Sequence, residues 1–210
     1  MPETSCADTE NAIDAATRPA SRTIVGFVMT SLLRSLRIAL VLLWGAASAA
    51  SALPLGVVGD ESIISTMGEL SSIQEGMEGP RIWILFAATC EKSVAMKEVV
   101  AASPTKLRVA WVPAPVGGGR DPATARLVEA DLEGMKAALS GDTSRLPPAG
   151  AAAERQALSI ETGLSRAMFR ATGRSLATPT IVYRDADGLV RVVRGAVGAD
   201  LFARIAADAR

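Results

Sequence analysis

The 210-residue sequence contains no histidine. That absence removes Ser-His-Asp and Cys-His catalysis, and most zinc and haem sites, because each needs an imidazole as base or ligand. Cysteine is nearly absent too: Cys6 and Cys90 lie on opposite sides of the most apolar segment and are not expected to pair. Charge of one sign is never concentrated. Twenty-two basic residues balance twenty-two acidic ones without long blocks, which leaves no electrostatic footprint for DNA or RNA. No cofactor and no metal site is expected. Gly117-Gly118-Gly119 lacks the Lys-Ser/Thr continuation of a phosphate-binding loop and reads as a flexible loop. Met67, Met77, Met96, Met135 and Met168 fall at helical positions and read as core filler. Asp185 and Asp187 belong to a turn, where aspartate is common for conformational reasons.

The apolar run Ile38 to Gly45 is preceded by Arg34 and Arg37 and followed by the small residues Ala46 to Ala52. That order of basic, apolar and small segments is the pattern of a secretory signal. Ala50-Ser51-Ala52 is the preferred cleavage signal, with Ala47-Ser48-Ala49 as the alternative. A spanning helix needs about 20 apolar residues, more than the stretch between Arg37 and Pro54 supplies, so cleavage is preferred over an uncleaved signal anchor. Met29 opens a leader of ordinary length and competes with Met1 as the start. The expectation is residues 1–52 as extension and signal, 53–79 as a linker or helix, and 80–210 as the folded domain. The expected location is the periplasm, with no membrane span left after cleavage; the alternative is an anchored form facing the same compartment. A mature chain from Leu53 carries one cysteine, and an unpaired thiol in a disulfide-forming compartment is a liability unless buried or used.

With 49% apolar residues the remainder can build a core. Ile63, Ile64, Met67, Leu70, Ile73 and Met77 are spaced as on a helix over 60–77, ended by Gly79-Pro80. Arg81 to Ala87 reads as a central strand buried on both faces. A helix follows over 93–102, then a strand over 107–113. Asp121-Pro122 opens a helix, with an acceptor at N-cap and proline at the first position. Helical stretches are expected over 123–140 and 151–172, with Gly173 as the stop. Strands over 181–184 and 189–194 form a hairpin, and a helix over 199–209 closes the chain.

Cys90 follows directly from the central strand, at the first turn of the next helix. Backbone N–H groups and the positive end of the helix dipole favour a thiolate there, below the ordinary thiol value of about 8.5. Lys92 adds a cation and Glu91 partly opposes it. The polar neighbours predict exposure, against the alternative of a buried, inert cysteine. Ser93 stands where a second cysteine would complete C-x-x-C; it cannot form a disulfide, but its hydroxyl can reach the thiolate or simply start the helix. Thr178-Pro179 heads a central strand, a position that marks a tight turn and sometimes a cis bond.

Together the cysteine turn and the Thr-Pro strand start resemble the thioredoxin superfamily, and within it the catalytic domain of DsbC/DsbG-type periplasmic disulfide isomerases. The matching stretches are 82–97, 107–127 and 161–205. The resemblance implies an α/β fold with a central mixed sheet flanked by helices and a helical insertion. It also implies Cys90 as nucleophile, Pro179 as the cis-proline against it, and Thr178 as the neighbour that shapes substrate contact, with Glu91, Lys92 and Ser93 completing the site. Two departures stand out: Ser93 replaces the resolving cysteine, and 53–79 is too short for the family's separate dimerisation domain. Two functions follow. One is monothiol exchange with protein disulfides or sulfenylated cysteines, completed by an external or substrate thiol. The other is a redox-inactive binding module or chaperone, including one serving a secretion or conjugation apparatus.

Overall fold

The computed structural model describes residues 55–115 and 121–210. The signal segment, Cys6, both start sites and the triple-glycine loop lie outside those residues. Six strands form one mixed sheet: β1 (Val57–Val58), β2 (Ile73–Glu75), β3 (Arg81–Phe86), β4 (Arg108–Pro113), β5 (Thr180–Arg184) and β6 (Val190–Arg194), in spatial order β1-β6-β5-β3-β4-β2. Only β3 and β4 run parallel, with Ile84 opposite Trp111; β5 is antiparallel to both β3 and β6, and the short edge strands are antiparallel to their neighbours.

The continuous apolar run of β3 feeds two cores, because successive side chains point to opposite faces. Ile82, Ile84 and Phe86 join Trp111, Ile181 and Tyr183 on one face, under α2 (Glu91–Ala101), α4 (Leu132–Leu139) and α7 (Ala199–Asp208). Trp83 and Leu85 join Val112 and Val182 on the other, under α1 (Glu61–Glu69) and α6 (Ser165–Thr172). Phe86 meets Trp111 edge to face, with ring centroids 5.7 Å apart. The outcome is three layers, as a strand apolar on both sides requires.

The expected helix over 60–77 stops at Glu69. Leu70 turns extended, and Ile73 pairs with Trp111 on the outer edge of β4. Ile63, Met67, Leu70 and Ile73 are all buried, so their shared spacing suits a helix followed by a strand; pairing with β4 and a clamp by the Gln156 amide on both backbone groups of Ser71 decide the switch. Met77, read as core, is 93% exposed, because it lies in the tight β2–β3 turn. A Cβ on Gly76 or Gly79 there would come 2.1 Å from the carbonyl oxygen of Leu107 or Lys106, and both glycines have positive φ, so the turn hugs the backbone before β4.

The stretch 123–140 divides into α3 (Pro122–Leu127) and α4, since Asp131 starts a new helix by accepting from the Gly134 amide at 2.8 Å. The stretch 151–172 is α5 (Ala151–Ser159), a π-turn (Ile160–Leu164) and α6, ended by Gly173 in the left-handed conformation. The hairpin and closing helix form where expected. Asp185, 2% exposed, organises the hairpin turn: it accepts from the amides of Asp187 and Leu189 at 3.0 and 2.8 Å and from Arg191 Nε at 2.5 Å.

Candidate active site

The end of β3 sets the site, because the chain leaves the buried sheet through Ala87, Ala88 and Thr89 and enters α2 with Cys90 as its N-cap. The Cys90 carbonyl accepts from the amides of Ser93 and Val94 at 2.8 and 3.2 Å, closing the first turn. The sulfur therefore sits at the positive end of α2, as the strand-to-helix junction predicts.

Across from it, the loop from Arg174 to Pro179 leads into β5, and the Thr178–Pro179 bond is cis. The Thr178 carbonyl, 88 residues away in sequence, accepts from Cys90 Sγ at 3.3 Å. Pro179 is held from the far side, where its carbonyl accepts from the Gly195 amide at 2.8 Å. Thr180 closes the loop on itself through its hydroxyl, which donates to the Ala177 carbonyl at 2.7 Å.

The site residues are thus distributed as follows. Cys90, Thr178 and Pro179 come together. Glu91 and Lys92 lie on the first turn of α2, one exposed and the other partly buried. Ser93 is fully buried, with its hydroxyl 3.4 Å from the Ala87 amide that donates to it, so it ties the start of α2 to the end of β3. Cys90 departs from the expectation of exposure: it is 3% exposed. Glu91 is exposed as its polar character suggests, but the Thr178 carbonyl of the Thr-Pro loop meets the sulfur, an effect of residues that local sequence does not show. Cys90 belongs to neither of the two apolar clusters, and its sulfur meets the Thr178 carbonyl.

Sequence reasoning missed the support beneath the cysteine turn. Thr124 on α3 accepts from the Ala88 amide at 2.7 Å and donates to Asp121, which also accepts from the Thr89 hydroxyl at 2.9 Å and the Ala123 amide at 3.0 Å. Asp121-Pro122 was legible as a helix start; its second task, bracing the residues before Cys90, depends on a contact across 32 positions. A second network joins Glu75, Lys97 and Trp111. Lys97 Nζ lies 3.1 Å from one Glu75 oxygen and Trp111 Nε1 donates to the other at 2.7 Å, pinning α2 and β4 to the edge strand. Among the described residues no cluster of acidic, cysteine or histidine side chains is arranged to hold a metal.

A β-α-β unit with parallel strands, followed by an antiparallel hairpin and helix, carrying a cysteine at the first strand-to-helix junction opposite a cis-proline, defines a thioredoxin-like fold. No protein-family model matches the sequence, and no curated protein matches it. Solved structures do. ScsC of Proteus mirabilis in a compact conformation aligns at 14% identity and TM-score 0.48 over 80% of this chain and 88% of that one. A periplasmic thioredoxin-like protein from Salmonella enterica serovar Typhimurium aligns at 14% and 0.48 over 70% and 95%. A thioredoxin-like oxidoreductase from Silicibacter pomeroyi DSS-3 aligns at 17% and 0.37 over 69% and 98%. The fold assignment rests on the strand order and connections themselves.

Proposed function

We propose that this chain is an exported monothiol thiol-disulfide exchange protein of the disulfide isomerase or reductase class, akin to the DsbC/DsbG type, working in the periplasm after removal of its signal segment. The observation that carries the reading is the juxtaposition of Cys90 Sγ, at the N-terminus of α2, with the Thr178 carbonyl in the cis-proline loop. The helix terminus favours the thiolate, whereas the contact with the carbonyl is available only to the protonated thiol. A substrate backbone that takes over the Thr178 carbonyl therefore releases the sulfur for attack.

In the first step the Cys90 thiolate forms a bond to one sulfur of a substrate disulfide, and the electron pair leaves on the other as a thiolate. With a sulfenylated cysteine the leaving group is hydroxide. In the second, a substrate thiol or external reductant attacks the mixed disulfide as its own thiolate and returns Cys90 to the thiolate. Ser93 excludes internal resolution, so isomerisation by a substrate thiol or reduction by an outside thiol completes the cycle. Thr178 and Pro179 contact substrate, and Glu91 and Lys92 set the charge at the rim.

The burial of Cys90 favours a second reading, a binding module that keeps the groove and has little redox turnover. Refolding of a scrambled disulfide substrate separates the two. Wild type should accelerate recovery with a catalytic amount of thiol present and Cys90→Ala should not; equal recovery with both proteins would remove the exchange reading.

A further inference from the structure

Beside the cis-proline loop the fold gathers two arginines. Arg194 ends β6 directly opposite Thr180, one residue before the Gly195 amide that holds the Pro179 carbonyl. Its Nη2 donates to the Ser175 carbonyl at 2.6 Å, which fixes the guanidinium against the loop. Arg174 starts that loop directly after Gly173 and is exposed. Burial first, and then the charge of Arg174, push Arg194 down from the usual arginine range. Neither has a carboxylate partner among the described residues, whereas Arg170, Arg184 and Arg191 each do. Like charges brought together without a counter-ion cost free energy, and an incoming anion relieves that cost.

We infer that Arg174 and Arg194 form a selectivity rim for substrates carrying carboxylates beside the reacting sulfur, chemically an acidic protein segment around a disulfide. The inference rests on the exchange reading for its chemistry. The Thr178 carbonyl is the link, since it touches Cys90 Sγ on one side and belongs to the arginine-flanked loop on the other. Glu91 and Lys92, on the first turn of α2, carry opposite formal charges, whereas the loop side carries two charges of one sign. Two partly solvated ion pairs of this kind amount to a rate advantage of about fivefold at low salt.

The test uses three peptides of one length whose single cysteine is activated as a 2-pyridyl disulfide and flanked by Asp, Ser or Lys. The Cys90 thiolate forms the peptide disulfide, and the electron pair leaves on the pyridine thiolate, which takes a proton and is read by absorbance. The expected order is Asp over Ser over Lys, with Asp about fivefold ahead of Lys at low salt and the gap closing at about 0.5 M salt. Arg174→Glu should reverse the order and Arg194→Gln should compress it. Equal rates for the three peptides, or an order unaffected by both substitutions, overturns the inference while leaving exchange intact. Failure of all three to react overturns the exchange reading instead. Binding of cysteine-free Asp and Lys peptides to Cys90→Ser then decides the rim by itself: tighter Asp-peptide binding that is lost in Cys90→Ser with Arg174→Glu sustains it, and equal binding sinks it.

Discussion

Removing the Asp121 carboxylate should loosen the cysteine turn from below, and the structure fixes how much. Asp121→Ala loses the bond to the Ala123 amide, an N-cap contact worth about 1 kcal/mol. It also strands the hydroxyl hydrogen of Thr124, a fully buried residue, at about 1–2 kcal/mol for an unsatisfied buried donor. The bond from exposed Thr89 adds about 0.5 kcal/mol or less. The expected loss is therefore about 2–3 kcal/mol, read as a lower midpoint in urea with an unchanged slope. Asp121→Asn keeps an acceptor and should cost about 1 kcal/mol. Thr124→Val removes the acceptor for the Ala88 amide, and combined with Asp121→Ala it should cost less than the sum of the two alone, since both break one network. A loss under about 0.5 kcal/mol for Asp121→Ala, or strict additivity of the pair, would refute the reasoning.

Asp185 links stability to pH. Burial alone would raise its pKa, but the Arg191 guanidinium and the Leu189 and Asp187 amides hold it below the ordinary carboxylate value. A depressed folded-state pKa gives stability that is full above the unfolded value of about 3.9 and is lost as pH falls toward the folded one. Asp185→Asn should thus be less stable at neutral pH by about 1–2 kcal/mol and should lose less stability than wild type on acidification through pH ~4; parallel pH curves would show that the carboxylate carries no such linkage. Ser93→Cys should place a second thiol one turn from Cys90 and let the two form a disulfide under mild oxidation. Recovery of only reduced protein under conditions that oxidise simple dithiols would mean that position 93, tied to Ala87, is held out of reach.

Much of the architecture was legible because the apolar patterns are local. The unbroken run 82–86 declares a strand buried on both faces, Asp121-Pro122 and Gly173 punctuate helices by their own backbone chemistry, and Asp185 to Gly188 is a turn by composition. The second strand fared worse, since Ile73 fits either a helical or an extended pattern and only the open edge of β4 decides. Met77 misled for the same reason: its spacing matched a helix that ends eight residues earlier. At the site, Cys90 and Pro179 could be singled out by residue type and position, but neither the cover that the Thr178 carbonyl gives the sulfur nor the bracing from α3 appears in any local window. Those contacts join residues 36 and 88 positions apart and arise only when the helices and strands pack together.

The most direct measurement is the rate at which the neutral reagent iodoacetamide labels Cys90 at about pH 6 in the folded protein, with peptide mapping to count Cys6 separately and the urea-unfolded chain as reference. An ordinary thiol is only about 0.3% ionised at that pH. A thiolate held at the helix terminus and reached by loop opening should react about tenfold faster folded than unfolded. Labelling that is slower in the folded protein, and appears only as the chain unfolds, would contradict a nucleophilic Cys90.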